Sequence, residues 1–279
     1  MAKISKKPGR SKKKSIWAPT KYELYEMTVQ DAEHDAEILE DIYRLVRKKK
    51  PRSLREDFCG SFAVASEWVK RSSQNQAWAL DIDPKPLEYG RKNHFLKLNQ
   101  NQKSRLHILQ QSVISKTRPV DMVCACNFSY WIFKQRDLML NYFRKVRESL
   151  KKDGLFLLDF VGGPEMFRLH RDRDVYGKGS KKYTYIWKQE SFNPLTHDSF
   201  FSISFKLANG KTYPKAFTYN WRTWTMPELK DLLLDAGFKD VSVYWEKEDK
   251  NENPIGEFYR TEKEDPTRCW IAFIVASKI

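Results

Sequence analysis

The sequence predicts an α/β fold in which helices cover both faces of a mainly parallel sheet, with an antiparallel unit inserted after the fifth strand. Short apolar segments alternate with helical segments between residues 31 and 160, a pattern typical of parallel strands joined by helices. Between residues 183 and 221, aromatic residues instead recur at every second position. This alternation is typical of antiparallel strands with one buried face.

Each element of the parallel part has a local signal. A stripe of apolar residues predicts a first helix over residues 31–50, and Pro51 ends it. Asp83 is expected to cap the helix that begins at Pro84 and runs to about residue 98. The other predicted elements are helices at 63–71 and 137–151 and strands at 53–58, 77–82, 106–110, 120–127 and 155–160.

The rest of the chain predicts about three antiparallel strands, one more helix and two closing strands. Asn209-Gly210 is a strong hairpin signal between two alternating segments. Thr225 and Glu228 form a capping box that opens a helix closed by Gly237. The last two strands are predicted at 241–245 and 270–276.

Composition excludes several classes of protein. Aromatic residues make up 14% of the 279 residues, which is too many for a mostly disordered chain, and 11 Gly and 12 Pro are too few for a collagen. The longest uncharged apolar run, residues 270–276, is far shorter than the roughly 20 residues of a membrane span. The opening MAKISKKPGR has no apolar segment and does not look like a secretory signal. We therefore expect a cytoplasmic protein with no membrane partner.

The net charge of +15 is distributed unevenly along the chain. Residues 1–15 contain seven Lys or Arg and no acid, which predicts a disordered basic tail. The tail is either a solubilising end or a contact for the phosphates of a nucleic acid. The four cysteines form no C-x-x-C pair and have no His at metal spacing, so we expect reduced thiols and no metal site.

Acidic and polar residues follow the predicted parallel strands, where open sheets bind ligands. Glu56 and Asp57 end the first strand and Gly60 follows them, while Asp81 ends the second strand 21 residues after Gly60. A glycine turn followed at this distance by an acid is a weak signal for a nucleotide ribose. The alternatives are a helix cap or ion pair for Asp81 and Asp83, and a pair with Arg52 or Arg55 for Glu56 and Asp57.

Beyond this pattern, the chain resembles the class I S-adenosylmethionine-dependent methyltransferases, in particular a poorly characterised bacterial-type branch. The segments that carry the resemblance are LREDFCGSFAVASEWV, ALDIDPKPLEYGR, VCACNFSYWIF, VRESLKKDGLFLLDFVGG and WRTWTMPELKDLLLDAGFKDVSVYWE. The resemblance implies a Rossmann-like sheet of seven strands and S-adenosylmethionine as the cofactor. The cofactor-binding residues that the pattern and the resemblance together predict are Glu56, Asp57, Cys59, Gly60, Ser61, Asp81, Ile82, Asp83, Ser112, Asn127 and Phe128.

The sequence departs from that family in its first loop. Phe58 and Phe62 stand where the family has glycines, and phenylalanine resists a positive φ, so we expect a less usual loop path. Ser112 stands where many members have an acid. A dehydrogenase is the competing interpretation, but its G-x-G-x-x-G motif would need more glycines than Gly60.

The methyl acceptor is less well defined. We expect three parts after the tail: a cofactor-binding half at 16–160, an antiparallel aromatic insert at 161–223 that acts as a substrate lid, and a closing segment at 224–279 with the last helix and two strands. Acceptor contacts are predicted for Tyr130, Trp131, Tyr185 and Trp221. The bases available are Tyr130, Asp159 and His197, and none is assigned. A small-molecule acceptor is favoured; the alternatives are a nucleic acid acceptor and a catalytically silent binding module.

Overall fold

A computed structural model describes residues 17–250 and 254–279. The predicted basic tail at 1–15 lies outside these residues. Seven α-helices are present in the described part: α1 Lys21–Glu26, α2 Ala32–Arg47, α3 Ala63–Arg71, α4 Pro84–Asn93, α5 Gln100–Lys103, α6 Arg136–Glu148 and α7 Met226–Asp235. Twelve strands accompany them: β1 Ser53–Asp57, β2 Gln76–Asp81, β3 Leu106–Gln110, β4 Val120–Ala125, β5 Leu150–Gly162, β6 Arg171–Tyr176, β7 Tyr183–Phe192, β8 Asp198–Leu207, β9 Thr212–Arg222, β10 Asp240–Glu248, β11 Pro254–Thr261 and β12 Trp270–Ser277.

The main sheet has the strand order β11-β10-β12-β5-β4-β1-β2-β3. The strands β3, β2, β1, β4 and β5 are parallel, and β12, β10 and β11 are antiparallel to their neighbours. Strand β4 is buried along its whole length, and alternate residues belong to separate apolar clusters, Met122 to one and Val123 to the other. Helices α2 and α3 contribute to the first cluster and α6 and α7 to the second, which confirms the predicted Rossmann-like α/β fold.

The sheet nevertheless has one strand more than the seven expected. Strand β11 pairs with β10 at the edge of the sheet. Its sequence, PIGEFYRT, contains a proline, a glycine and two charges, and so lacks the alternation that marks a half-buried strand. Tertiary pairing rather than local pattern therefore makes this segment a strand.

The insert is a separate four-stranded antiparallel sheet with the order β6-β7-β8-β9. Three of these strands were expected, and β6 is the addition. Four of the six residues of β6, RDRDVY, are charged and nearly all of them are exposed, so its sequence carries no apolar signal. The inner face of the other three strands packs aromatic and aliphatic side chains into the core, including Phe201, Ile203 and Trp221.

Helix α1 connects the two sheets and was not predicted. Thr20 and Glu23 form a capping box that begins the helix. Just before it, Trp17 packs against Tyr183 of the insert at 5.9 Å between ring centroids. With six residues, α1 is too short to show helical periodicity. No helix in the described ranges is long and apolar enough to cross a membrane.

Candidate functional site

A cleft of about 280 Å³ opens at the carboxyl ends of β1, β2 and β4. This is the edge at which open parallel sheets bind ligands. The main sheet supplies its acidic floor, while α1 and the insert supply its aromatic walls. Its lining comprises Lys21, Tyr22, Tyr25, Glu26, Gln30, Glu56, Asp57, Phe58, Cys59, Gly60, Ser61, Asp81, Asp83, Pro86, Cys126, Asn127, Ser129, Phe217 and Tyr219.

The loop after β1 contains three left-handed residues. Phe58, Gly60 and Phe62 have φ values of 56°, 53° and 49°. The expectation that phenylalanine would force another path is therefore corrected, because both phenylalanines adopt the positive φ. This conformation costs roughly 1–2 kcal/mol for a residue with a side chain. Packing offsets the cost: the Phe58 ring contacts Tyr142 at 5.7 Å, and Phe62 is fully buried.

Gly90 of α4 allows the close approach of this loop. A Cβ added at Gly90 would lie 2.2 Å from the carbonyl oxygen of Ser61 and 2.6 Å from Cε1 of Phe62. Such distances are impossible for a real methyl group, so the loop would have to move. The loop position thus depends on a glycine 30 residues along the chain, a dependence that local sequence signals do not report.

Asp81 ties the loop to the end of β2. Its Oδ2 accepts a hydrogen bond from the Gly60 amide at 2.8 Å, and its Oδ1 accepts one from the Asp83 amide at 2.8 Å. Burial raises the pKa of Asp81, and the amide hydrogen bonds oppose that rise. The Asp83 carboxylate in turn caps α4 through the Lys85 amide at 2.9 Å, the capping role considered from sequence.

Glu56 is a buried acid at the base of the cleft. One carboxylate oxygen accepts a hydrogen bond from the Ala65 amide of α3 at 2.8 Å, and only 5% of the residue is exposed. Burial raises its pKa to about 8. A buried carboxylate of this kind becomes stable as an anion when a cation binds beside it.

Asp57 has a different role from its neighbour. Its Oδ1 lies 2.7 Å from Nε of Arg55, and its Oδ2 accepts a hydrogen bond from the Tyr142 hydroxyl at 2.9 Å. Both side chains of the Arg55–Asp57 pair are fully buried. The structure therefore shows the alternative pair with Arg55, while Asp57 also lines the cleft and its predicted ligand role stays a prediction.

A second strained turn follows β4. Asn127 and Phe128 have φ values of 57° and 55°. Their amides donate to the carboxylate of Asp159 at 2.5 and 3.0 Å. Burial raises the pKa of Asp159 to about 7. Asp159 thus positions the turn. Its carboxylate already accepts these two amide hydrogen bonds and does not line the cleft, so it is poorly placed to act as the base.

Asp35 of α2 adds a further acid to this region. Its charge raises the pKa of both Glu56 and Asp159, so it lies close enough to repel each of them. Burial raises the pKa of Asp35 itself to about 7. It lines a neighbouring cavity that shares Glu26 and Gln30 with the cleft. Several buried acids therefore gather at the inner end of the cleft, and a cation bound beside them would stabilise their ionised form.

The residues of α1 are the main part of the site that the sequence analysis missed. Glu26 accepts hydrogen bonds from the Ser61 hydroxyl at 2.6 Å and from Tyr89 at 3.2 Å, and it lies 2.7 Å from Nε2 of His94. Burial opposes its ionisation, but these partners outweigh burial and lower the pKa of Glu26. The Tyr25 ring lies 4.9 Å from the Phe217 ring of the insert, measured between centroids and tilted by 54°. Helix α1 therefore contacts both the loop after β1 and the insert, and lies between them at the cleft.

The other predicted cofactor residues divide into two groups. Cys59, Gly60, Ser61, Asp83 and Asn127 line the cleft beside Glu56 and Asp81. Three others, Ile82, Ser112 and Phe128, lie outside its lining. The side chain of Ile82 points to solvent with 72% exposure, and the Ser112 carbonyl closes a turn with the Ser115 amide.

The predicted acceptor contacts are corrected by burial. Tyr130 and Trp131 are 0% exposed, because the chain turns inward after β4 in a short 3₁₀ turn. The Tyr130 hydroxyl donates to the carbonyl oxygen of Asp159 at 2.8 Å. Trp221 packs edge-on against Trp131, and Tyr185 packs against Phe205. Tyr130, Trp131 and Trp221 are buried in apolar packing, whereas Tyr185 is half-buried and does not line the cleft. The insert residues that line the cleft are Phe217 and Tyr219.

The second candidate base lies elsewhere. His197 is in the turn between β7 and β8 and packs against Phe167 at 5.3 Å. It does not line the cleft. The structure therefore leaves both weak catalytic candidates, Tyr130 and His197, without access to a ligand in the cleft.

Comparison with known proteins identifies the fold. No family model and no curated protein matches this chain. Among solved structures, an amino pentose methyltransferase from Micromonospora echinaspora is 14% identical with a TM-score of 0.68, covering 95% of this chain and 99% of its own. An S-adenosylmethionine-dependent methyltransferase from Clostridium acetobutylicum is 14% identical with a TM-score of 0.65, covering 92% and 96%. A sugar N-methyltransferase from Streptoalloteichus is 15% identical with a TM-score of 0.63, covering 100% and 98%.

These similarities extend over nearly the whole of each chain, so they concern the complete architecture and not one shared motif. The protein has the fold of the S-adenosylmethionine-dependent methyltransferases.

Proposed function

We propose that this protein is an S-adenosylmethionine-dependent methyltransferase that acts on a small-molecule acceptor in the cleft. The observation that carries the proposal is the convergence of Glu56, Gly60 and Asp81 at the carboxyl ends of β1 and β2. Each of these residues offers what one part of the cofactor requires, and the fold is that of enzymes which use it.

The residues of the cleft suit the chemical groups of the cofactor. Asp81 offers carboxylate oxygens to the two ribose hydroxyls, as strand-end acids do in nucleotide sites. An added Cβ at Gly60 would meet no atom within 4 Å, so there is room for a ligand beside this backbone. Glu56 faces the cleft as a buried acid that favours a cationic amino group.

Once bound, the cofactor supplies an electrophilic methyl group attached to a positively charged sulfur. The chain's own contribution is to hold the acceptor atom in line with that methyl group, about 3–3.5 Å away. The aromatic walls formed by Tyr25, Phe217 and Tyr219 exclude water and can face the cation through their rings. No base is required of the protein unless the acceptor must lose a proton before transfer.

Two observations favour a small-molecule acceptor. The cleft volume of about 280 Å³ lies just below the roughly 300–1,000 Å³ of small-ligand sites, and α1 and the insert form its aromatic walls. Two of the similar structures are described as amino pentose and sugar N-methyltransferases. A small amine or hydroxyl compound is therefore the acceptor class we propose.

Calorimetric titration with S-adenosylmethionine and S-adenosylhomocysteine tests the cofactor site. We expect a micromolar dissociation constant that weakens at least tenfold, or about 1.4 kcal/mol, in Asp81→Ala. Asp137→Ala is the matched control, because that acid is 96% exposed and lies on α6 away from the cleft. Absence of heat with either ligand, in protein that shows a cooperative thermal transition, would refute the proposed cofactor site.

Transfer of a labelled methyl group then tests the acceptor class. A panel of amino sugars and other small amines is compared with RNA as the acceptor. Label in the small-molecule fraction is the expected result, whereas label in RNA alone would overturn the small-molecule proposal. Binding of the cofactor without transfer to any acceptor would favour the catalytically silent binding module instead.

A further inference from the structure

Lys21 is the only lysine or arginine in the lining of the cleft, among the residues that the structure describes. The same lining contains five carboxylates, those of Glu26, Glu56, Asp57, Asp81 and Asp83. Lys21 forms an ion pair with none of them; Glu26 instead lies beside His94, and Asp57 pairs with Arg55. The position of the lysine in an acidic cleft therefore needs another explanation than pairing of charges.

Two aromatic rings and a carbonyl group hold the ammonium group of Lys21. Its Nζ lies 4.6 Å from the centroid of the Phe217 ring and 5.1 Å from that of Tyr22. It also donates a hydrogen bond to the carbonyl oxygen of Ala216 at 2.9 Å. A cation within about 6 Å of a ring centroid, over the face of the ring, is attracted by the π electrons. These three groups therefore already bind an alkylammonium group, which the protein's own lysine supplies.

The rings around this position meet at steep angles. Tyr22 lies 5.8 Å from Phe217 with 67° between the ring planes, and Tyr25 lies 4.9 Å from Phe217 with 54°. The Tyr22 ring is also stacked on Tyr89 of α4 at 5.0 Å, so its position is fixed by a second element. Aromatic cages built from several rings are the sites that recognise quaternary ammonium ligands.

The acids of the cleft favour the same kind of ligand. Burial raises the pKa of Tyr22, and the charge of Asp83 raises it further, so this carboxylate acts on the ring that faces the lysine. Rings and carboxylates both attract a cation. A ligand with a positive charge therefore has two kinds of partner in the cleft, and one of them is occupied by Lys21.

We propose that Tyr22, Phe217 and the Ala216 carbonyl form a subsite for an alkylammonium group of the methyl acceptor, and that Lys21 is its displaceable occupant. The stem of lysine is flexible, so Nζ can turn into solvent when the ligand enters. The group in the subsite serves recognition, because a protonated nitrogen has no lone pair to accept a methyl group. The acceptor is then a small molecule that carries an ammonium group besides the atom to be methylated. Its assignment to the acceptor rests on the proposed function, whereas the ammonium subsite itself does not.

NMR titration of the full-length protein with choline tests the subsite. The uncharged counterpart of the same shape is 3,3-dimethyl-1-butanol. We expect choline to bind about fivefold more tightly than the alcohol, which is the size of a partly exposed cation–π contact. Equal affinity for the two compounds would overturn the proposal, because the cleft would then recognise shape and not charge.

Two variants change the subsite in opposite directions. Phe217→Leu removes one ring, and Lys21→Met removes the occupant while keeping an apolar stem. Choline affinity should fall about fivefold in the first variant and rise about threefold in the second, with the affinity for the alcohol changed less than about twofold in either. A Lys21→Met protein that binds choline no more tightly than the wild type would overturn the role of Lys21 as a displaceable occupant.

The matched controls are Phe200→Leu and Lys85→Met. Phe200 is another partly exposed phenylalanine of the insert with a lysine over its ring, Nζ of Lys215 at 5.7 Å, but it does not line the cleft. Lys85 is exposed at the start of α4, where its amide caps on Asp83. Because salt screens exposed charges, both controls should bind choline within about twofold of the wild type. An equal gain in Lys85→Met and Lys21→Met would overturn the proposal, since the effect would then be one of net charge alone.

Saturating S-adenosylhomocysteine distinguishes the acceptor from the cofactor as the source of the ammonium group. Choline should bind equally well to this complex, because acceptor and cofactor must occupy the cleft together. Displacement of choline would assign the subsite to the cofactor and overturn its role for the acceptor. If S-adenosylhomocysteine does not bind, the proposed function fails, whereas selective choline binding would still uphold the ammonium subsite, so the two failures are distinguishable.

Discussion

The carboxyl edge of the main sheet and the inner face of the insert are built in different ways, although both meet at one cleft. At the sheet edge, the carboxylates of Asp81 and Asp159 accept backbone amides from left-handed turns. On the insert, stacked rings such as Trp187 and Phe201, 5.1 Å apart, hold the strands together. The first region is ordered by directed hydrogen bonds, and the second by burial of apolar area.

The two regions also differ in backbone strain. In the described ranges, four of the seven non-glycine residues with positive φ are Phe58, Phe62, Asn127 and Phe128, which belong to the two turns at the sheet edge, and two others, His197 and Lys215, lie in the insert. Strained backbone persists only where the surroundings over-determine it, and it concentrates at functional sites. The insert, by contrast, has an ordinary apolar core. Changes in the insert should therefore alter stability, whereas changes at the sheet edge should alter ligand binding.

The largest expected effect tests the insert side of this comparison. Trp221 is 4% exposed and packs against Trp131 and Phe201. Trp221→Ala should lower the free energy of unfolding by about 3–5 kcal/mol, the usual range for a buried aromatic residue, with cofactor affinity changed less than threefold. Denaturant unfolding and calorimetry measure the two quantities. Leu195→Ala is the control, since Leu195 is 92% exposed in the same insert; a loss below 1 kcal/mol in Trp221→Ala would contradict this view of the insert.

A smaller change in the free energy of unfolding, of opposite sign, is expected when Glu56 is replaced. Burial raises its pKa from 4.5 to about 8, so between these values the unfolded chain ionises while the folded protein stays protonated. Stability should therefore fall as pH rises through this window. Glu56→Gln cannot ionise, and at pH 8.5 it should be more stable than the wild type by about 2 kcal/mol, while binding the cofactor more weakly.

Thermal unfolding of both proteins between pH 5 and pH 9 measures this difference. Asp137→Asn serves as the control, because that acid is exposed and its removal should leave the pH profile unchanged. The same pH dependence in Glu56→Gln and the wild type would show that Glu56 is not the group responsible.

Most of the main sheet could be predicted because its strands are buried and locally apolar. The bounds of α3 and β3 agree with the sequence analysis, and Asp83 and Thr225 cap the predicted helices. The elements α1, β6 and β11 were missed because partners distant in sequence stabilise them. Tyr213, for example, donates a hydrogen bond to the Pro19 carbonyl just before α1, a contact that no local pattern reports.

The candidate site was predictable only as far as strand ends define it. Glu56, Gly60, Asp81 and Asn127 were expected there because they lie at or shortly after the ends of parallel strands, and all four line the cleft. The aromatic wall was assigned to the wrong side chains, since alternation in a strand does not tell which aromatic residues face a cleft and which face the core. Asp35 and the residues of α1 reach the site only through tertiary packing, so their positions required the structure.

The smallest expected effect tests whether the backbone strain beside the cleft matters for ligand binding. Lys48 ends α2 with a φ of 55°, and Asn127 lines the cleft with a φ of 57°. Glycine adopts this conformation freely, so each of Lys48→Gly and Asn127→Gly should change the free energy of unfolding by no more than about 1 kcal/mol, with Lys48→Gly stabilising. Only Asn127→Gly should also weaken cofactor binding, because the turn that Asp159 holds then loses its side chain and its rigidity. Calorimetry on both variants measures this, and an equal loss of affinity in Lys48→Gly would mean that the strain at the sheet edge has no special connection with the ligand.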